Sequence, residues 1–449
     1  MNAEGLTLHL AAQAAATRWD DLPAPVRQVA AQAVLDLVGC ALAGADEPVA
    51  AHLGAELADA GGAAQAGAIG QSGRFPVTAA ALLNGAAGHA LDFDDVNMAM
   101  PGHPTVAILP ALLALGEARK ASGAEVLTAL VAGTELACRV GRALAPGHYD
   151  GLGFHATATI GCLGAAAASA RLLGLDARTT AVAIGIAATQ AAGLKSQFGT
   201  DCKPLHAGAA ARTGVLAARL AARGLTARTD SIECAQGFAA THGPDFHPAL
   251  AWEAPPDGFY ILANLFKYHA ACYLTHAPIE AVRGLREAHR LTPADVAEIR
   301  LTLSEACDRV CNIAEPATGL EAKFSLRQTA AMALAGVETG ALGSYSAAVA
   351  TDPDLVALRQ RVVFDFRPGL AHTDAVAALR LADGRVLTAR HDSGVPAGDL
   401  AAQGARLAAK FQVLAAPVLG AARAETLRRR ILELAQETDI AAVMELAMA

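Results

Sequence analysis

The chain reads as a mainly α protein: a large all-helical domain built from both chain ends, with a smaller α+β domain inserted. Three observations predict this. Alanine, a strong helix former that strands disfavour, is the commonest residue. Apolar residues recur at helical spacing from about Pro23 to Ala240. After Phe266 the spacing changes, and stretches of period two appear among the helices.

In order, helices are expected over 26–42, 77–91, 105–118, 125–144, 157–173, 179–194 and 207–222. Their stripes are Ala and Gly more than Leu and Phe, and such small side chains let helix axes approach closely. Residues 270–288 continue the helical pattern, and Thr292-Pro293-Ala294-Asp295 reads as a capped turn. Segment 297–303 alternates as a half-buried strand, and 362–366 is a second candidate. Two apolar runs within 375–390, joined by Asp383-Gly384, read as a hairpin. Helices return at 400–415 and 426–435 and are expected to pack back onto the first domain. The boundaries are then 1–266 and 397–449 for the helical domain and 267–396 for the α+β domain. No internal repeat stands out.

Composition narrows the function. At 449 residues the chain has room for two or three domains of ~100–200 residues each. With 53% hydrophobic and only 17% charged residues it cannot be a disordered chain. The net charge is −8 and the densest basic run is Arg428-Arg429-Arg430, which argues against nucleic acid as a partner. The most membrane-like stretch, 179–194, is shorter than the ~20 residues a span needs, and Arg178 and Lys195 flank it. It reads as a buried helix, and no membrane partner is expected. The first residues lack the pattern of a signal peptide, and eight scattered cysteines fit reduced thiols, so a cytoplasmic protein is expected. Cys307 and Cys311 are the one close pair, without further ligands at metal spacing, so no structural zinc or iron–sulfur site is assigned.

Chemistry gathers at helix starts. His103, in Pro101-Gly102-His103-Pro104-Thr105, and His155, in Gly153-Phe154-His155-Ala156-Thr157, each precede a helix. Lys203 and His206 flank Pro204, which suits the first position of a third helix. At such points backbone N–H groups lack partners and the helix dipole is positive. A lysine there is mildly unfavourable unless an anion binds beside it. Any one of these side chains alone reads as a surface or capping residue; the repetition is what suggests a site.

Asp92, Asp94 and Asp95 end another helix, where the dipole disfavours negative charge and raises carboxylate pKa values. They read as a solvated helix end or as a carboxylate that orients a histidine. Their neighbours supply His, Lys and Asn rather than more oxygen ligands, so no metal is assigned. Lys267 and Lys323 are lone cations in apolar text, each compatible with a snorkelling surface lysine. Tyr149 is either a proton donor or a loop-packing residue, and Cys272 has little that would activate it. No dinucleotide, P-loop, zinc-protease or serine-hydrolase motif occurs. What remains is His, Lys and carboxylate, suited to binding an anion and moving protons without a cofactor.

Asn84-Gly85, His89-Ala90-Leu91-Asp92-Phe93-Asp94-Asp95, His103-Pro104 and Gly153-Phe154-His155-Ala156-Thr157 carry a family likeness. So do Lys203-Pro204-Leu205-His206-Ala207-Gly208 and Gly319-Leu320-Glu321-Ala322-Lys323-Phe324-Ser325. Together they resemble the MmgE/PrpD family along nearly the whole chain. That family includes 2-methylcitrate dehydratase, cis-aconitate decarboxylase and iminodisuccinate epimerase. The resemblance implies a homodimer with a cofactor-free pocket between two domains, lined by Asp92, His103, His155, Lys203, His206 and Lys267. Cys272 stands where the decarboxylase carries a histidine, and Val96 where it carries a threonine.

The expected activity is that of a lyase, a dehydratase or decarboxylase, acting on a small di- or tricarboxylate by proton abstraction next to a carboxylate. His103, Asp92, His155 and Lys203 are the expected catalytic residues, and His206, Lys267, Tyr149 and Asp94 the substrate-binding ones. The runner-up is an isomerase that epimerises an amino- or imino-dicarboxylate such as iminodisuccinate. A non-catalytic metabolite-binding protein is a third reading.

Overall fold

The computed structural model of the chain describes residues 5–255 and 257–449. Its contacts fall into two units: Met1–Phe266 with Gly398–Ala449, and Lys267–Ala397.

The first unit begins with α1 (Leu6–Ala16), α2 (Ala24–Ala43), α3 (Pro48–Ala60), α4 (Val77–His89), α5 (Pro104–Arg119), α6 (Gly123–Leu144), α7 (Ala156–Leu172), α8 (Ala177–Ala188) and α9 (Cys202–Ala222). Helices α5 and α7 are apolar on every face and buried along nearly their whole length, as central helices must be. They pack against each other, and α9 packs on both α4 and α7. Two glycines set the closeness of α4 to α9. A Cβ on Gly208 would stand 2.1 Å from the Leu82 carbonyl oxygen, and one on Gly85 would stand 2.7 Å from Gly208 Cα. The helices therefore meet backbone to backbone, which brings the end of α4 beside the start of α9.

Three expectations are corrected here. The helix read over 179–194 stops at Ala188; Thr189 and Gln190 turn their side chains back to the Ile186 carbonyl, and Gly193 has φ +153°. Leu194 then bridges to Phe154. Pro204 is not the first residue of its helix, because α9 starts at Cys202. Proline fits anywhere in the first turn, where its missing N–H would have no partner. The most membrane-like helix is α2, long and apolar enough to cross a bilayer, with 78% of that window buried inside the protein.

The second unit holds α10 (His276–His289), β1 (Val296–Ser304), α11 (Leu326–Ala335), β2 (Val362–Arg367), β3 (Asp374–Leu381) and β4 (Val386–Asp392). The sheet order is β2-β1-β3-β4, with β1 parallel to β2 and antiparallel to β3. Leu301 sits opposite Phe364 on one side and Ala377 on the other. Ile299, Leu301 and Leu303 are buried while Arg300 is exposed, the alternation read from the sequence. The β3–β4 hairpin turns at Asp383-Gly384, where Gly384 takes φ +88°. Helix α10 covers β3 and β4 and also packs on α11.

The last helices, α12 (Leu400–Leu419) and α13 (Ala421–Leu432), return to the first unit, where α12 packs along α2. All eight cysteines are free thiols. One grouping was invisible in the spacing: Cys272 hydrogen-bonds Cys311, one helical turn from Cys307, so the Cys307–Cys311 pair has a third thiol beside it.

Candidate active site

The site is built where four chain segments of the first unit end or begin. Helix α4 finishes at His89, and the chain leaves through Asp92, whose φ is +50°. A left-handed conformation costs an L-residue about 1–2 kcal/mol, and Asp is among the side chains that tolerate it. The turn sends Asp92 towards solvent, 41% exposed, and Asp94 inward, fully buried. His103 and His155 are the N-cap residues of α5 and α7, and Lys203 and His206 lie in the opening turns of α9. The His103 backbone N–H donates to Thr157 Oγ1 at 3.1 Å, tying the start of α5 to that of α7.

These segments bring the expected side chains together. Lys203 Nζ lies 2.9 Å from Asp92 Oδ1, and His103 Nε2 lies 3.7 Å from the same oxygen. On its other side, His103 Nδ1 is 3.1 Å from Asp94 Oδ2, off the line of a well-formed hydrogen bond. His89 Nδ1 lies 2.8 Å from Asp94 Oδ1. The His89 ring meets His103 edge-on at 4.5 Å and stacks on His155 at 5.9 Å. His155 and His206 face each other through their Nδ1 atoms at 3.2 Å, so one of the two must donate and the other accept. Six of the eight expected site residues (Asp92, Asp94, His103, His155, Lys203 and His206) thus form one cluster.

Burial decides most of the charges. His89 is pushed down to about 4 by burial, which outweighs the attraction of Asp94. Burial also holds His155 well below the usual histidine range, with His89 and Lys203 adding to it, and it lowers His206. These three imidazoles are neutral at pH 7. Burial alone would raise Asp94, but His89 and His103 together hold it well below the ordinary carboxylate range. The His89 contact is therefore a hydrogen bond from a neutral Nδ1–H to an anionic carboxylate. Its neighbour Asp95 goes the other way. Burial pushes its carboxyl up to about 8, against a hydrogen bond from Thr105 and with Asp36 and Asp94 reinforcing the rise. Asp95 Oδ2 accepts from Thr105 Oγ1 at 2.6 Å and from Asn264 Nδ2 at 2.7 Å. The three aspartates of one short run thus divide into a partly exposed carboxylate beside Lys203, a buried anion and a buried neutral acid.

Two further expected residues are Tyr149 and Lys267. Tyr149 is on the turn Gly147–Gly151, with Lys195 Nζ 3.6 Å from its ring centroid. Lys267 belongs to the second unit and is 2% exposed, which corrects the snorkelling reading; its charge helps lower His276. Lys323 lies over the Tyr345 ring at 5.8 Å. Sequence reasoning missed His89, which sits in apolar text as a core residue would. It also missed Phe198, 38% exposed, whose ring stands edge-on to His155 at 5.0 Å with Lys203 Nζ 5.5 Å away. A metal was not expected, yet His89, Asp92, Asp94 and His103 place ligand atoms within 4.8 Å of one another. They form a donor set a divalent cation can use, with the Lys203 ammonium competing for Asp92. A cavity of about 420 Å³ lined by Trp19, Arg27, Gln32 and Leu400 includes none of this cluster.

Two sequence models span almost all of this architecture. The MmgE/PrpD N-terminal domain matches residues 8–251 and the MmgE/PrpD C-terminal domain matches residues 269–436. The chain belongs to the MmgE/PrpD family. Among characterised members, the cis-aconitate decarboxylase of Homo sapiens is 31% identical over 339 residues, 71% of this chain and 69% of its own. The cis-aconitate decarboxylase of Aspergillus terreus is 30% identical over 327 residues, 68% and 66% of the two chains. The cis-aconitate decarboxylase-like protein oryM of Aspergillus oryzae is 33% identical over 281 residues, 59% and 58%. The matches to the two Aspergillus proteins span less than two thirds of those relatives' own lengths. Within the family's N-terminal domain, the matched region holds every member of the cluster described above.

Proposed function

We propose that this MmgE/PrpD protein is a lyase acting on a small di- or tricarboxylate, and that decarboxylation of an unsaturated tricarboxylate such as cis-aconitate is its first candidate reaction. The observation that carries the reading is the line Lys203–Asp92–His103–Asp94. It sets a cation, an imidazole and two carboxylates side by side where α4 ends and α5 and α9 begin. The relatives' names supply the substrate class.

In this reading the Lys203 ammonium takes a substrate carboxylate. For decarboxylation, a C–C bond breaks, CO₂ leaves, and the electron pair passes into the adjoining unsaturated carboxylate system. His103 then delivers a proton to carbon. For dehydration, the same imidazole takes the proton next to a carboxylate while hydroxide leaves with a proton from a second group. Asp94 orients His103 and supports its positive charge, as buried carboxylates do for catalytic imidazoles. A fixed cation beside the developing charge is worth more in a closed site than in water. Carbon-13 NMR of cis-aconitate incubated with the protein tests the reading: a decarboxylated acid and CO₂ support it, and unchanged substrate across a set of di- and tricarboxylates contradicts it.

A second reading, epimerisation of an amino- or imino-dicarboxylate such as iminodisuccinate, is favoured by the His155–His206 pair. That pair offers an imidazole base separate from His103. In D₂O an epimerase returns racemised, α-deuterated substrate, whereas a lyase returns an unsaturated or decarboxylated acid.

A further inference from the structure

We propose that Lys410, on the C-terminal helix α12, is a positioning residue that fixes the peptide between Asp92 and Asp94. Its ammonium donates to the Phe93 carbonyl oxygen at 2.7 Å and to Asp36 Oδ1 at 2.6 Å. It also lies 3.8 Å from the centroid of the Phe93 ring. The side chains of Lys410 and Asp36 are 6% and 1% exposed, and Phe93 is fully buried.

A buried ion pair is a poor way to gain stability, because desolvation offsets most of the attraction and apolar groups of like size do as well. Its value here is in direction. Phe93 stands between the left-handed Asp92 and the buried Asp94, the two carboxylates on either side of His103. Holding the Phe93 carbonyl fixes the plane of the peptide that follows it, and the buried ring stops the residue from rotating. One ammonium thereby sets the direction in which both carboxylates leave the chain. Asp36 of α2 pairs with that ammonium and holds it in place. The clamp joins residues more than three hundred positions apart, so the C-terminal segment is part of the site's construction. This inference rests on the reading of Asp92, Asp94 and His103 as the reacting groups.

The test compares Asp36→Asn/Lys410→Met, which removes both charges at similar volume, with Asp92→Asn and wild type. Three readouts are used: the thermal midpoint, the ring signals of selectively labelled His103 at one fixed pH, and kcat and KM with cis-aconitate. The double variant is expected to fold, to move the His103 signals towards those of Asp92→Asn, and to lose about tenfold to a hundredfold in kcat with KM little changed. If it does not fold, Lys410→Arg serves instead: it keeps the pair with Asp36, but its wider planar head cannot sit where the ammonium meets both acceptors. It is expected to show the same two changes, smaller in size. Wild-type His103 signals and wild-type kcat in whichever variant folds would overturn the proposal and leave Lys410 a purely structural residue. If the wild-type protein turns over no di- or tricarboxylate, the lyase reading falls, while the His103 signals still decide the clamp.

Discussion

One oxygen of Asp92 stands 2.9 Å from the Lys203 ammonium and 3.7 Å from His103 Nε2. Two helix starts far apart in the chain therefore share a single carboxylate. Asp92 is 41% exposed against 14% for Lys203 and 11% for His103, so under the proposed lyase reading an incoming carboxylate would compete with Asp92 for the cation.

Replacing Lys203 by Met keeps the stem of the side chain and removes the charge. Turnover of the accepted carboxylate is expected to fall by ~10²–10³. The thermal midpoint should change little, because the methionine stem fills the same space and the partner Asp92, 41% exposed, stays in contact with water. Steady-state kinetics beside a melting curve checks both halves. Full activity in the folded variant would remove Lys203 from the site.

The fold was legible wherever local pattern decides structure. The spacing over 297–303, the Asp383-Gly384 turn and the helix starts at His103 and His155 all correspond to elements in the structure. His103, His155 and Lys203 stood out for the same reason, being polar residues at points where a helix leaves its N–H groups unpaired. What was hidden depends on distance along the chain. His89 lies inside an Ala- and Gly-rich helix and gains meaning only from Asp94 Oδ1 2.8 Å away. Lys410 lies on an amphipathic helix and gains its meaning only from packing against Asp36 and Phe93, more than three hundred positions away. The boundary missed after Ala188 follows from side chains folding back on the Ile186 carbonyl, a local competition that apolar periodicity does not register.

Stability should rise with pH between about 4 and 6.5. His89 and His148 are both held near 4, against an ordinary 6.5, chiefly by burial, and His155 is shifted the same way. In that window the unfolded chain binds protons that the folded chain does not, so acid favours unfolding. Each such proton contributes about 1.4 kcal/mol per pH unit. Urea midpoints measured from pH 4.5 to 6.5 should climb steadily; a flat profile would mean these imidazoles are not buried and neutral.

Asp95 acts in the opposite direction from about 4 to about 8: it offsets one of these several imidazoles below 6.5 and sets a falling trend above it. Its folded carboxyl keeps a proton up to about 8, whereas the unfolded group loses it near 3.8. The folded state therefore binds the extra proton, and stability falls as pH rises towards 8. Asp95→Asn, which keeps the shape and cannot ionise, should lose less stability than wild type between pH 6.5 and 8. Parallel slopes for the two proteins would show that Asp95 is not a neutral acid.

Gly208→Ala tests the backbone contact that sets the site's width. The added Cβ would stand 2.1 Å from the Leu82 carbonyl oxygen, so α9 must move away from α4. Overpacking of this kind costs about 1–3 kcal/mol. The thermal midpoint and turnover should drop together, since Lys203 and His206 ride on the displaced helix. A stable, fully active Gly208→Ala protein would show that this contact does not hold the cluster.

The most direct measurement follows cis-aconitate in D₂O by NMR with wild type and with His103→Gln. The account predicts that wild type releases CO₂ and forms an acid carrying deuterium at one carbon. The folded variant should be slower by ~10²–10⁴, the usual worth of a general acid or base. Equal rates and equal deuterium incorporation in the two proteins would contradict the assignment of proton transfer to His103.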